Sequence, residues 1–213
     1  MGPLSLVLAL AGGALGVLAD RFATRWPAHD EDHPAGRDID WRTVLCGAVG
    51  AIAFALLPLR FAADPLAMVV FGGWFATLVV GLATDLDQRI LPDELTLPVI
   101  PLALLYALSG QNPLVGGALL LAVAAALVIP AVLYLPSLPF GAGAFGLGDV
   151  KFLVGMGLML GGDRSISATL FGLILAGVVL LVLLLTRRIG RKSYIPFGPF
   201  LIIGALWAVL IRA

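Results

Sequence analysis

The chain has 213 residues, of which 61% are hydrophobic and only 12% are charged. Its mean hydropathy of +1.07 lies well above the range of soluble globular domains, which predicts lipid as the solvent around most of the chain. Thirteen basic and thirteen acidic residues cancel, so no overall charge is left that would attract nucleic acid or an acidic partner.

The apolar runs predict about eight transmembrane spans, because roughly 20 residues are needed to cross a bilayer. A backbone in lipid must satisfy its own hydrogen bonds, so every span is predicted to be helical. The fourth span contains Pro98 and Pro101 and the sixth is short, so kinked or partly re-entrant forms stay open for both. We predict one all-α, polytopic membrane domain covering residues 1–213. Its spans lie near residues 3–19, 43–59, 65–84, 95–110, 114–139, 150–162, 165–186 and 196–211.

The positions of the basic residues predict the orientation. The first apolar stretch resembles a secretory signal, but no basic residue precedes it and Arg21 and Arg25 follow it, which predicts a retained span with an external N-terminus. The C-terminus is then external as well. Only Arg60, Arg164 and Arg212 fall on the external side. The predicted cytoplasmic group is Arg21, Arg25, Arg37, Arg42, Arg89, Lys151, Arg187, Arg188, Arg191 and Lys192.

The longest polar segment, residues 20–42, is predicted to be a solvated cytoplasmic loop. It holds six acidic residues, four basic residues and both histidines. His29 and His33 are four positions apart, and a helix would place both imidazoles on one face as possible metal ligands. Pro27 and the Pro-Ala-Gly run at residues 34–36 leave little room for that helix, so no metal site is predicted.

Two groups of acidic residues lie where predicted spans meet the cytoplasmic side. Asp85 and Asp87 end the third span, and Asp149 starts the sixth. An acidic side chain is costly near lipid, so either these residues simply end helices or they do chemistry. Although 64 positions separate Asp85 from Asp149, both are predicted at similar depth. Two carboxylates that share a site cannot both ionise cheaply, which is the arrangement that activates water in aspartic proteases.

Short motifs surround these aspartates. Asp85 precedes a Leu-Pro-Asp-x-Leu-Thr-x-Pro run at residues 91–98, and Asp149 closes a Gly-x-Gly-Asp motif at residues 146–149. In this order the two motifs resemble the first and second active-site motifs of the type IV prepilin leader peptidase family. A third match is Ile-Pro-Phe-Gly-Pro-Phe at residues 195–200, although proline also commonly starts a helix. The resemblance covers roughly residues 45–211.

The resemblance implies a catalytic dyad of Asp85 and Asp149, with no cofactor or metal. Asp87 is the rival for the first position; otherwise it and Asp93 are expected to be polar supports. Lys151 is expected to anchor its helix at the membrane interface or to contact substrate. Glycines 146 and 148 are expected to allow a close approach by a neighbouring helix or substrate.

The same resemblance implies substrates of the prepilin and pseudopilin type. Such substrates have a short basic leader in the cytoplasm, a glycine before the cut, and an apolar helix in the membrane. The expected location is therefore the inner (cytoplasmic) membrane, with the active site facing the cytoplasm.

One departure from the family pattern concerns cysteine. Many bacterial members carry paired Cys-x-x-Cys motifs in a cytoplasmic insertion that is associated with methylation of the new N-terminus. Cys46 is the only cysteine here, so no multi-cysteine zinc site is possible in this sequence. The chain is expected to be a short form in which methyltransferase activity is doubtful.

Two other function classes remain open from the residues alone. A magnesium-dependent membrane transferase would use acidic residues to hold a diphosphate substrate, although Asp85 and Asp87 are closer together than the usual aspartate-rich pattern. A small transporter or assembly scaffold would use the acids as proton or ion sites. A chelator-sensitive activity would indicate the first class, and transport in vesicles without protease activity would indicate the second.

Overall fold

The computed structural model describes residues 2–29, 35–140, 145–188 and 196–212, and these parts of the chain contain helices but no strand. Eight of the helices have ten residues or more, and each corresponds to one predicted span. The helices are α1 Pro3–Ala23, α2 Trp41–Phe61, α3 Pro65–Gln88, α4 Asp93–Thr96, α5 Val99–Leu108, α6 Leu119–Tyr134, α7 Leu147–Leu160, α8 Gly162–Leu185 and α9 Gly198–Leu210.

Five helical segments are long and apolar enough to cross a membrane. They are α1, α2, α3, α8 and the continuous stretch Leu119–Pro139, in which α6 runs on into a 3-10 turn. Large apolar side chains such as Leu10, Leu120 and Leu185 point outward from these segments, which is the arrangement expected for contact with lipid. The prediction of an all-α, polytopic membrane protein is confirmed. Helices α5, α7 and α9 are shorter, with 10, 14 and 13 residues.

Glycines hold the helices together in closely packed pairs. A methyl group at Gly12 or Gly16 of α1 would overlap the backbone of α2, and the same holds for Gly204 of α9 against α8. A Cβ at Gly157 of α7 would lie 2.5 Å from the backbone of Ala126 in α6. Small residues at these crossings let the backbones approach, which is how helices associate without a hydrophobic driving force between them.

Helix α3 lies against three other helices and carries much of the core. It packs against α1, α2 and α9, and Phe71, Phe75 and Leu82 on its buried faces are almost fully shielded. Because α3 is held from several sides, the side chains of its last turn have fixed positions. That turn contains Asp85 and Asp87.

The two weakest predicted spans differ from their predicted bounds. The fourth is split into the short α4 and the ten-residue α5, and Pro98 is the N-cap of α5. Proline lacks the backbone N–H that a continuous helix needs, so the break falls where the sequence is least helical. The sixth starts at Leu147, three residues before the predicted boundary, and ends at Gly161, whose φ of 76° is readily adopted only by glycine.

Basic residues gather at opposite ends of the helices, as their distribution along the sequence predicts. Arg37 and Arg42 both pair with Asp87 at the end of α3. At the other end, Arg164 donates hydrogen bonds to the carbonyl oxygens of Ala208 at 2.9 Å and Arg212 at 2.6 Å.

Candidate active site

Asp85 lies in the last turn of α3 and is only 4% exposed. Its Oδ2 is buried and has no hydrogen-bond partner among the described residues. The start of α9 covers it so closely that a Cβ at Gly198 would lie 2.7 Å from that oxygen. Gly198 belongs to the third matched motif, which therefore packs directly over the first aspartate. A buried carboxyl oxygen without a partner is energetically unfavourable, which marks the position as a candidate for chemistry.

Asp149 lies in the first turn of α7. A Cβ at Gly146, the N-cap of α7, would lie 3.2 Å from Oδ2 of Asp149. A Cβ at Gly148 would lie 2.8 Å from the carbonyl oxygen of Leu91 and 3.0 Å from its Cβ. The two glycines of the motif thus have different surroundings: Gly146 faces the aspartate itself, and Gly148 allows contact with the segment after α3.

Leu91 is the residue on which both aspartates converge. Its backbone touches Gly148, next to Asp149, and its Cδ1 would lie 3.2 Å from a Cβ at Gly198, next to Asp85. Phe145, directly before the second motif, makes an edge-to-face contact with Phe197 of the third motif, with ring centroids 5.7 Å apart. The structure therefore brings together all three matched motifs.

Asp87 has different surroundings from Asp85, although only one residue lies between them. Its Oδ1 accepts hydrogen bonds from Arg37 Nε at 2.8 Å and Arg42 Nη1 at 3.3 Å. Its Oδ2 lies 3.2 Å from His29 Nε2. Both oxygens are occupied by cationic or polar partners, and the side chain is 6% exposed. We call these four residues the Asp87 cluster. Their geometry fits the expected role of Asp87 as a polar support.

The Asp87 cluster extends to Asp20, a residue that the sequence analysis did not single out. Arg37 bridges the two acids, with Nη2 2.6 Å from Oδ1 of the fully buried Asp20. Thr43 donates to Asp20 at 2.6 Å, and Arg21 also pairs with it. Burial opposes the charge on Arg37, but its bonds to Asp87 and Asp20 outweigh this effect and raise the guanidinium pKa above its usual range.

The segment predicted as a solvated loop is thus partly buried. Its described residues fold back on the end of α3 because their arginines pair with Asp20 and Asp87. The mixed charge of the segment was the available signal, since its four basic residues can pair with buried acidic side chains. His29 contacts Asp87, and His33 lies outside the described residues. Within the described residues no group of three His, Cys, Asp or Glu side chains could hold a metal ion.

Asp93 and Lys151 form an ion pair at the edge of the site. Lys151 Nζ lies 2.5 Å from Asp93 Oδ1, and both side chains are partly exposed. The pair joins α4 to α7 beside Leu91. It therefore helps to hold in place the segment around Leu91, which lies between the two aspartates. Neither side chain touches Asp85 or Asp149 through a hydrogen bond in the described structure.

Comparison with known proteins identifies the family. The model of the type IV leader peptidase family matches residues 73–185, which is more than half of the chain and includes both aspartates. The chain belongs to the type IV leader peptidase family. This confirms the resemblance read from the motifs. No solved structure matches the chain significantly.

Characterised relatives of this leader peptidase family member carry the name prepilin leader peptidase/N-methyltransferase. The protein from Aeromonas salmonicida is 33% identical over 68% of this chain, and the alignment covers 52% of the relative. The protein from Burkholderia pseudomallei is 33% identical over 74% of this chain and 50% of the relative. The protein from Pseudomonas aeruginosa is 35% identical over 59% of this chain and 43% of the relative. The chain thus spans about half the length of these relatives.

Proposed function

We propose that this chain is a membrane aspartic endopeptidase that removes the leader peptide of type IV prepilins or pseudopilins. The cut would follow a glycine at the cytoplasmic face of the inner membrane. The observation that carries the proposal is the convergence of Asp85 and Asp149 on Leu91, with one buried oxygen left without a partner. The family and the names of its relatives supply the substrate class.

The positions of the two aspartates on their helices suggest separate roles. Asp149 lies at the N-terminal end of α7, where the helix dipole favours a negative charge, and we assign it the role of general base. Asp85 lies at the C-terminal end of α3, where the dipole disfavours a negative charge, and we assign it the role of general acid. A shared proton between the two carboxyl groups fits this division.

The reaction then needs no group beyond the dyad and one water molecule. Asp149 takes a proton from the water, whose oxygen attacks the scissile carbonyl carbon, while Asp85 gives its proton to the carbonyl oxygen. The resulting gem-diol collapses as Asp149 passes its proton to the leaving amide nitrogen. Asp85 recovers a proton from the gem-diol hydroxyl, and both aspartates return to their starting states.

Coexpression with a type IV prepilin tests the proposal directly. We expect the parent chain to shorten the prepilin to a product that begins directly after the glycine, measured by gel mobility and intact mass. We also expect that mass to lack a methyl group, because the methylation-associated cysteine motifs have no counterpart in this sequence. An unshortened prepilin would contradict the proposal. Activity on a diphosphate substrate that a chelator abolishes would support the magnesium-dependent transferase instead.

The Asp87 cluster allows Asp85 and Asp87 to be distinguished by experiment. Asp87→Asn removes a charge that satisfies two arginines, so we expect a loss of about 2 to 4 kcal/mol in stability, seen as earlier thermal unfolding in detergent. Asp85→Asn replaces a buried carboxyl group, whose Oδ2 has no hydrogen-bond partner among the described residues, with a neutral amide of the same size, so stability should hold. Processing should fall far more for Asp85→Asn. The reverse pattern would make Asp87 the catalytic acid.

A further inference from the structure

A long apolar groove runs along the outside of the helices between α3 and α5. The two helices hardly contact each other, and α7 forms the floor between them. Two adjoining cavities make up the groove and share Trp74, Thr77 and Val99. The outer cavity, lined by residues such as Val69 and Tyr106, has a volume of about 380 Å³. We call this feature the α3–α5 groove.

The inner end of the α3–α5 groove reaches the candidate active site. Gly81, Leu91 and Lys151 line that end, which is a narrow cavity of about 20 Å³. Leu91 is the residue that touches the surroundings of both aspartates, so an occupant leaving the groove arrives beside the dyad. Along α3 the lining extends from Val69 to Gly81, which is about 18 Å at the rise of an α-helix. The groove therefore extends across a large part of the hydrocarbon core.

We infer that the α3–α5 groove holds the apolar helix of the substrate and presents the residues before that helix to Asp85 and Asp149. The inference rests on the proposed function and adds the surface that the substrate uses. Side chains of one helix face would fill the groove, as in other helix-in-groove interactions. The substrate helix would lie antiparallel to α3, because its N-terminal, cytoplasmic end has to meet the dyad, which lies at the C-terminal end of α3.

Charge at the mouth of the groove fits a substrate with a basic leader. Glu94 is exposed close to Leu91, and Asp93 is exposed as well, although its charge is already paired with Lys151. Opposite charges at an interface steer association and fix register more than they add affinity. A leader entering from the cytoplasm would pass these carboxylates while its helix remains in the groove.

Two features inside the groove favour a peptide helix over a lipid chain. Gly73 is exposed in the outer part, and nothing lies within 4 Å of the position of a Cβ there, so a neighbouring helix can approach α3 closely. The hydroxyl of Tyr106, which also lines this part, is buried without a hydrogen-bond partner among the described residues. A helix can place a polar side chain at that level, whereas a hydrocarbon chain cannot satisfy the hydroxyl.

Disulfide trapping tests the position of the substrate. Gly73→Cys is combined with Asp149→Asn, which keeps the substrate uncut, and coexpressed with a type IV prepilin that carries one cysteine in its apolar helix. We expect a crosslinked pair on a non-reducing gel. The matched control is Gly177→Cys on α8, which is equally exposed and equally free of neighbours, and should give none. The natural Cys46 is fully buried and does not interfere.

A processing assay supplies the second readout. Gly73→Leu adds a side chain whose Cβ position has no neighbour within 4 Å, and we expect the side chain to occupy the groove and slow cleavage of the prepilin about tenfold or more, as overpacking of an interface does. Gly177→Leu should leave the rate unchanged. Equal crosslinking at both positions, crosslinks between two copies of the peptidase without prepilin, or full activity of Gly73→Leu would overturn the groove assignment. Absence of processing by the parent chain would instead refute the proposed function.

Discussion

Asp149→Asn and Asp85→Asn are each expected to lower the rate of prepilin processing by about 100- to 10,000-fold, the contribution that a positioned acid or base makes. An amide at either position can neither accept a proton from water nor deliver one to the carbonyl oxygen. Because the two side chains act on the same peptide bond, the double variant should be little slower than either single variant. Coexpression with a prepilin, followed over time by gel mobility, measures the effect.

The control for this pair is Asp163→Asn at the start of α8. Asp163 is exposed and lies beside Arg164, at the end of the helices opposite the dyad. Its charge is therefore too far from the reacting groups to affect the reaction. Processing by this variant should match the parent. All three variants should reach the membrane in similar amounts, judged by immunoblotting of membrane fractions. Normal processing by either dyad variant would exclude that aspartate from catalysis.

Much of the fold could be predicted because lipid simplifies the physical problem. A backbone in hydrocarbon has to be helical, so apolar runs of sufficient length locate the helices. The predicted third span, residues 65–84, became α3 Pro65–Gln88, and the seventh, residues 165–186, became α8 Gly162–Leu185. The predicted helix boundaries were wrong where this constraint is weakest. The fourth span is split at Pro98. A short apolar run does not show whether the polar residues at its start belong to the same helix.

The candidate site divides in the same way between local and tertiary information. Asp85, Asp149 and their glycines could be selected because each lies in a short motif beside an apolar run. The Asp87 cluster could not, since Arg37 and Asp87 come from separate segments whose pairing depends on how the helices pack. The α3–α5 groove could not be predicted either, because a gap between two helices has no signature in the sequence of either helix.

Gly148→Ala is expected to have the second large effect, a loss of about 100-fold in processing, although it removes no reacting group. The added Cβ would lie 2.8 Å from the carbonyl oxygen of Leu91, which is backbone and cannot rotate away. Leu91 also packs against Gly198, beside Asp85, so the displacement separates the two carboxylates. A misplacement of about 1 Å between reacting groups costs on the order of 100-fold in rate.

The comparison with Gly177→Ala separates this geometric effect from a general cost of changing a helical glycine. Gly177 lies within α8 with open space around its Cβ position, so alanine there should leave processing unchanged and slightly favour the helix. Gly148→Ala should unfold only slightly earlier than the parent in detergent, because the strain is confined to the contact with Leu91. A variant at Gly148 that keeps full activity would mean that the two aspartates do not depend on this contact for their approach. Their convergence on Leu91 would then be a feature of packing alone, and the catalytic assignment would rest only on the Asp85 and Asp149 variants.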